Sequence, residues 1–163
     1  MMAQGPPTET ERHDIDAIAR YQFDLRGSTA FCPPTAVEVT HSSSGRIEQV
    51  YHDGVRLCTL TTHGRLTLGV AGGRRLAAIC EAPANRVAVD DEARPFVGAG
   101  RNAFAKFVTA VDSQVRPRDE VVVVDGADRP IAVGRAELAA EGMVAFDRGM
   151  AVSVRHGLLD DTV

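Results

Sequence analysis

The chain has 163 residues, room for one ordinary domain or two small ones, and its 44% hydrophobic content can build a core, which excludes wholesale disorder. A net charge of −4 excludes nucleic-acid binding by a global basic field, and 5% aromatics with no Trp argue against extensive base stacking on a sheet face. Any RNA contact therefore has to be a local patch.

Of the 18 basic residues 17 are Arg, and Lys106 is the only lysine. Compositional bias of the genome accounts for this, although the planar guanidinium fork also suits phosphates and base edges. Cys32, Cys58 and Cys80 are odd in number and lack C-x-x-C spacing, which argues against a disulfide framework or a zinc ribbon. No apolar stretch approaches the ~20 residues of a membrane span. The N-terminus lacks the basic-then-apolar pattern of a signal peptide. A soluble cytoplasmic protein with no membrane partner is the expectation.

Taken in chain order, residues 1–13 are polar, contain Pro6-Pro7 and read as a flexible tail. Asp14 is placed to cap a short helix running to Tyr21, with Ile15, Ile18 and Ala19 on one face. Gly27 and Pro33-Pro34 then turn the chain. Four strands follow. Residues 36–41 put Val37 and Val39 on one side, and 45–51 set Ile47 against Val50. Residues 55–61 carry Val55, Leu57, Thr59 and Thr61 on one face and Arg56, Cys58 and Leu60 on the other. Residues 65–70 align Leu66, Leu68 and Val70. The turns are Ser44-Gly45, Asp53-Gly54 and His63-Gly64, and Asp-Gly between two strand-like runs is the strongest hairpin signal in the chain. Residues 71–80 look helical, with Leu76, Ile79 and Cys80 as the buried side. Glu81-Ala82-Pro83 breaks that helix and divides a small α+β domain (14–82) from a second domain (83–157), with 158–163 as a tail.

The second domain opens with a strand at 86–90 and a short helix candidate at 91–97, interrupted at Pro95. Gly98-Ala99-Gly100 turns into a strand at 102–108, where Phe104, Lys106 and Val108 alternate with Ala103, Ala105 and Phe107. Arg116-Pro117-Arg118-Asp119 is a turn. The valine run 120–124 suggests a strand buried on both faces. Asp125-Gly126 leads into a strand at 130–135. A helix follows at 137–146 despite Gly142, with Leu138, Met143 and Phe146 apolar, and a final strand at 151–155. Short strands at regular spacing favour a small barrel.

Residues 86–97, the Gly98-Ala99-Gly100 turn and the Phe104-Ala105-Lys106-Phe107-Val108 segment together resemble the opening of a PUA domain. Residues 116–124, Pro130-Ile131-Ala132-Val133-Gly134 and the close from Arg148-Gly149 to Arg155 resemble the remainder, most of all that of archaeosine tRNA-guanine transglycosylases. Upstream, Tyr21-Gln22-Phe23, Gly45-Arg46-Ile47 and the Asp53-Gly54 hairpin resemble the small α+β domain that precedes PUA in those enzymes. One departure is Asp24, where the family often has Gly after the Phe. The resemblance implies an α+β N-terminal domain followed by a β-rich PUA-type pseudo-barrel with two helices. It implies tRNA binding, and the catalytic barrel of those enzymes is too large to fit in this chain. The expected role is therefore non-catalytic, with no cofactor, in support of a transglycosylase-type catalytic subunit supplied elsewhere. A protein-interaction or ribosome-associated adaptor on the same scaffold is the alternative.

Site candidates follow from the same resemblance. Gly98 and Gly100 lie in a loop that faces RNA in the family, where exposed amides meet phosphate oxygens, although a purely structural turn explains two glycines as well. Arg94, Arg101 and Lys106 flank that loop and would share a phosphate-neutralising surface if helix and strand pack as in PUA domains, although ordinary surface charge, with Asp90, Asp91 and Glu92 nearby, explains them as well. Arg155, with His156, ends the closing strand in the region that faces RNA. The Gly98-x-Gly100-x-x-Ala103 spacing formally matches a dinucleotide fingerprint, but no strand precedes it and a strand-like alternation follows. Asp90-Asp91-Glu92 reads as a solvated helix start rather than paired catalytic carboxylates. His41, His52, Cys58 and His63 match no common zinc spacing, and Ser42-Ser43-Ser44 has no base placed to activate it.

Overall fold

A computed structural model describes residues 4–25, 27 and 29–159. The chain folds as two compact units, Met1–Ile79 and Cys80–Val163. The outermost residues of both expected tails, 1–3 and 160–163, lie outside the described residues.

The first unit opens with helix α1, Glu9–Gln22, which starts five residues ahead of the expected Asp14 cap. The reason is local. Thr8 is the N-cap, its hydroxyl accepts from the Glu11 amide, and the Glu11 carboxylate accepts from the Thr8 amide, closing a capping box. The Thr8 amide and the His41 ring, 2.6 Å away, hold the Glu11 carboxyl below its ordinary value. Gly5 also pairs with Val39, so residues read as tail belong to the fold. Thr8→Ala is expected to lower stability by ~1 kcal/mol, measured as an earlier urea midpoint by circular dichroism.

Ile15 and Ala19, one turn apart, form the buried stripe of α1. The helix ends at Phe23, and Asp24 follows with φ 53, in the left-handed region that favours glycine. That explains why glycine suits this position in the resembling family and why aspartate, which tolerates the region, can stand there.

Strands β1 (Val37–His41), β2 (Ile47–His52), β3 (Val55–Leu60) and β4 (Leu66–Leu68) form an antiparallel meander in sequence order. Asp53 and Gly54 both take positive φ, as a two-residue hairpin turn between twisted strands requires. Val55 is exposed, while Leu57 and Cys58 are both buried, so the middle of β3 is covered on both faces. The cover on one side is helix α2, Val70–Ile79, which begins where the expected fourth strand was to end. Gly72 lets it settle: a Cβ there would stand 1.9 Å from the Leu57 carbonyl oxygen.

The second unit is a six-stranded, nearly closed pseudo-barrel. Its strands are β5 (Arg86–Val89), β6 (Ala103–Phe104), β7 (Val108–Val111), β8 (Glu120–Val124), β9 (Pro130–Ala136) and β10 (Met150–Gly157), in the order β6-β10-β9-β8-β5-β7. Only β5 and β8 run parallel. Every residue of β8 is buried, as its valine run implied. Val87, Val89, Val121, Val123, Ile131 and Val152 fill the interior.

Three expectations change here. Helix α3 is Arg94–Gly98, and Pro95 sits in its first turn, where the missing amide costs nothing; the proline starts the helix rather than interrupting it. The single strand expected at 102–108 is β6 and β7 separated by a 3-10 turn, Ala105–Phe107. The sheet order supplies the reason: β6 pairs at one edge with β10 and β7 at the other with β5, so the chain must bend between them. The helix expected at 137–146 shrinks to α4, Ala140–Ala145, because the Glu137 amide still pairs with Ala151; Phe146 is exposed. Leu158 and Leu159 continue past the expected domain end, their amides donating to Ile131 and Gly98.

Candidate nucleic-acid interface

The loop between α3 and β6 runs along the edge of β10. The Leu159 amide donates to the Gly98 carbonyl at 3.2 Å, the Asn102 side-chain oxygen accepts from the Val154 amide at 2.9 Å, and the Ala105 amide reaches Gly149. Gly98 is buried, and a Cβ on it would meet the Leu159 side chain at 2.2 Å. Gly100 has φ +109, a conformation that L side chains rarely adopt. Gly157 completes the contact from the other side: its Cβ would stand 2.2 Å from the Gly98 carbonyl oxygen and 2.6 Å from the Gly100 amide nitrogen. Three glycines therefore bring two backbones together along one ridge.

Arg101 and Lys106 are exposed on this segment, and neither has an ionic partner among the described residues. Lys106 lies over the Phe107 ring at 5.0 Å, which fixes its stem without neutralising it. Arg148 is also exposed, one residue before the Gly149 carbonyl that Ala105 binds. The sequence marks Arg148 only as part of a closing motif; the Ala105–Gly149 hydrogen bond that sets it at this end of the segment has no local signature. Phe104, opposite Met150 on β6, is 46% exposed and adds an aromatic face.

Gly98, Gly100, Arg101 and Lys106 thus lie along one segment beside β10, the two glycines at its Gly157 end and Lys106 next to the residue that binds Gly149 at the other. Arg94 and Arg155 are each held in an ion pair. Arg94 Nε donates to Asp125 at 2.9 Å, and Arg155 makes a two-pronged pair with Glu120 at 2.7 and 2.8 Å, reaching across β9. Asp125 is the anchor of the β8–β9 turn. Its Oδ1 accepts from the Ala127 and Arg129 amides, and its Oδ2 from the Arg94 and Arg129 guanidiniums. Burial pushes this carboxyl up, but the four donors outweigh it and bring it down to about 2.

The remaining candidates take structural places. Asp90 accepts from the Ala93 amide at the turn into α3, as a helix-start carboxylate does. The Gly98-x-Gly100 segment follows a helix and enters a strand, the reverse of a dinucleotide site. His41 pairs with Glu11, His52 lies 3.7 Å from Asp53, and Cys58 is wholly buried. Among the described residues no group of three or more His, Cys, Asp or Glu side chains is placed to hold a metal ion. Burial pushes the Cys32 thiol up to about 12, and the Asp16 carboxylate adds to the shift. Among the described residues no helix is long and apolar enough to cross a membrane.

Comparison with known families agrees with this division of the chain. Residues 13–83 match the patch-forming domain C2 of tRNA-guanine transglycosylase, and residues 85–158 match the PUA domain. The chain carries a transglycosylase C2 domain followed by a PUA domain.

The pair is homologous to the C-terminal region of archaeal tRNA-guanine(15) transglycosylases. The enzyme of Pyrococcus abyssi is 41% identical over 156 residues, covering 95% of this chain and 26% of the enzyme. That of Methanothermobacter thermautotrophicus is 36% identical over 154 residues, covering 91% and 23%. The chain thus spans about a quarter of the length of these relatives, and the catalytic domain lies outside the matched region. Among solved structures, a hypothetical protein of Pyrococcus horikoshii superposes with a TM-score of 0.69 at 20% identity, covering 98% of this chain and 96% of the other. A conserved PUA domain protein of Thermoplasma acidophilum gives 0.62 at 23%, with the same coverage. Both show that the C2 and PUA fold is shared.

Proposed function

We propose that this chain binds tRNA and performs no chemistry itself, serving in the cytoplasm as the RNA-recognition part of a transglycosylase-type modification system whose catalytic subunit is a separate chain. The observation that carries this is the consecutive match of both domains, at 41% identity over 156 residues, to an enzyme whose substrate is tRNA. The ridge along β10 supplies the physical means. Arg101, Lys106 and Arg148 offer cations where five other arginines of the PUA domain are spent on internal ion pairs. Backbone at residues 98–100 is pinned close to β10, so the loop presents a rigid shape to phosphates and 2′-hydroxyls. In a protein of net charge −4, this local concentration sets both where RNA binds and how strongly salt opposes it.

Arg101→Glu and Lys106→Glu test the reading. Each is expected to weaken binding of a tRNA transcript, measured by fluorescence anisotropy, and to make the slope of log affinity against log salt shallower by about one unit. Arg116→Glu, on an exposed side chain between β7 and β8, is the control position for charge reversal outside that segment. Equal loss at all three positions would point to bulk charge and against a ridge.

A further inference from the structure

The C2 domain holds an exposed aromatic that neither the fold nor the PUA ridge uses. Tyr21 is 92% exposed, more than any other large hydrophobic side chain described. It stands in the last turn of α1 over a groove of about 650 Å3, within the range of small-ligand sites. Ala17 and Ile18 supply one apolar wall, and His63 and Arg65, on the β3–β4 turn, supply the other. The two walls are locked together. Gln22 donates from Nε2 to the Leu66 carbonyl and accepts at Oε1 from the Leu66 amide, both at 2.8 Å, so helix and strand edge hold one geometry before any ligand arrives.

An aromatic face with a guanidinium and an imidazole across a short apolar floor suits one kind of occupant. A hydrophobic helix would need apolar residues on both walls, and here one wall carries a guanidinium and an imidazole. A nucleotide presents a flat base to the ring and a phosphate to the guanidinium and the imidazole N–H. Aromatic residues make up only 5% of the chain, so a single ring implies a single base rather than a stacking platform.

We propose that this groove is a nucleotide subsite, in which one unpaired base of bound RNA stacks on Tyr21 while its phosphate lies against Arg65 and His63. The proposal rests on the RNA-binding reading above and extends it to the C2 domain.

The test compares the full chain with Tyr21→Ala and Tyr21→Phe. Affinities for a tRNA transcript and for a single-stranded hexanucleotide, each carrying a fluorescent label on the RNA, are measured by anisotropy. Y21A is expected to bind tRNA roughly 5- to 100-fold more weakly, the loss of one stacked base, with an unchanged salt slope. Y21F keeps the ring and is expected to match the wild type. Because Tyr21 is exposed, both variants should retain the wild-type circular dichroism and urea midpoint. If the wild type binds tRNA and Y21A binds it equally well, the groove is not a subsite, while the RNA-binding reading stands. If the wild type ignores tRNA but binds the labelled hexanucleotide, and Y21A does not while Y21F does, the subsite stands and the tRNA reading falls. Binding of neither RNA by the wild type overturns both. Retention of a protein partner after nuclease treatment, lost in Y21A, would assign the groove to protein and overturn the subsite.

Discussion

Asp125→Ala is expected to destabilise the PUA domain by about 3 kcal/mol. Four donors converge on this side chain, which is 1% exposed. Its removal leaves the Ala127 and Arg129 amides without their acceptor and releases Arg94 and Arg129. Both guanidiniums are partly exposed and can turn to water, which keeps the cost at the lower end for a broken buried pair. Asp125→Asn retains an oxygen for the two amides but sets an NH2 group against the guanidiniums, so it should fall between alanine and wild type.

The same residue makes stability depend on acid. The carboxyl titrates near 3.8 in the unfolded chain and at about 2 in the folded one, so folding favours the charged form. Its contribution is complete above pH 4 to 5 and is lost as pH falls toward 2, worth about 2 kcal/mol over that window. Urea unfolding followed by circular dichroism at neutral pH and at pH 3 checks both statements. The wild type should lose more stability between the two pH values than Asp125→Asn does. Equal acid sensitivity would show that other carboxylates dominate.

Gly157→Ala is expected to be nearly as costly, and to act on the ridge itself. A methyl group at this position meets backbone, not a movable side chain: the Gly98 carbonyl oxygen at 2.2 Å, the Gly100 amide nitrogen at 2.6 Å and the Ala99 carbonyl carbon at 2.8 Å. The loop and the strand must part, at about 2–3 kcal/mol by comparison with overpacked cores. RNA affinity should fall with it, because Arg101 travels with the loop. Gly126→Ala provides the comparison, since a Cβ there meets nothing within 4 Å. A Gly157→Ala protein with wild-type stability and wild-type tRNA affinity would contradict the close approach.

The features legible in the sequence were those with short-range causes. Asp53-Gly54 announced its hairpin, the valine run of β8 announced burial on both faces, and Gly98 and Gly100 marked the loop that approaches β10. The start of α1 was also legible, since Thr8 and Glu11 spell the S/T-x-x-E box, but the polar stretch around Pro6-Pro7 masked it. Pro95 was ambiguous for a different reason: the residue that breaks a helix interior is the one favoured in its first turn. What no local pattern revealed were partnerships across the barrel. Asp125 lies 31 residues from Arg94, and Glu120 lies 35 from Arg155. Two arginines expected at the RNA face by resemblance thus also make ion pairs within the barrel, while Arg148 lies one residue before the Gly149 carbonyl that Ala105 binds.

The most direct test is a titration of the unaltered chain against a tRNA transcript over a series of salt concentrations, with an unstructured RNA of equal length as competitor. Recognition by a local basic ridge on a rigid loop predicts binding at low salt, a linear fall of log affinity with log salt, and preference for the folded tRNA. Absence of binding at low salt, or equal affinity for both RNAs, would contradict a tRNA-recognition role for these two domains.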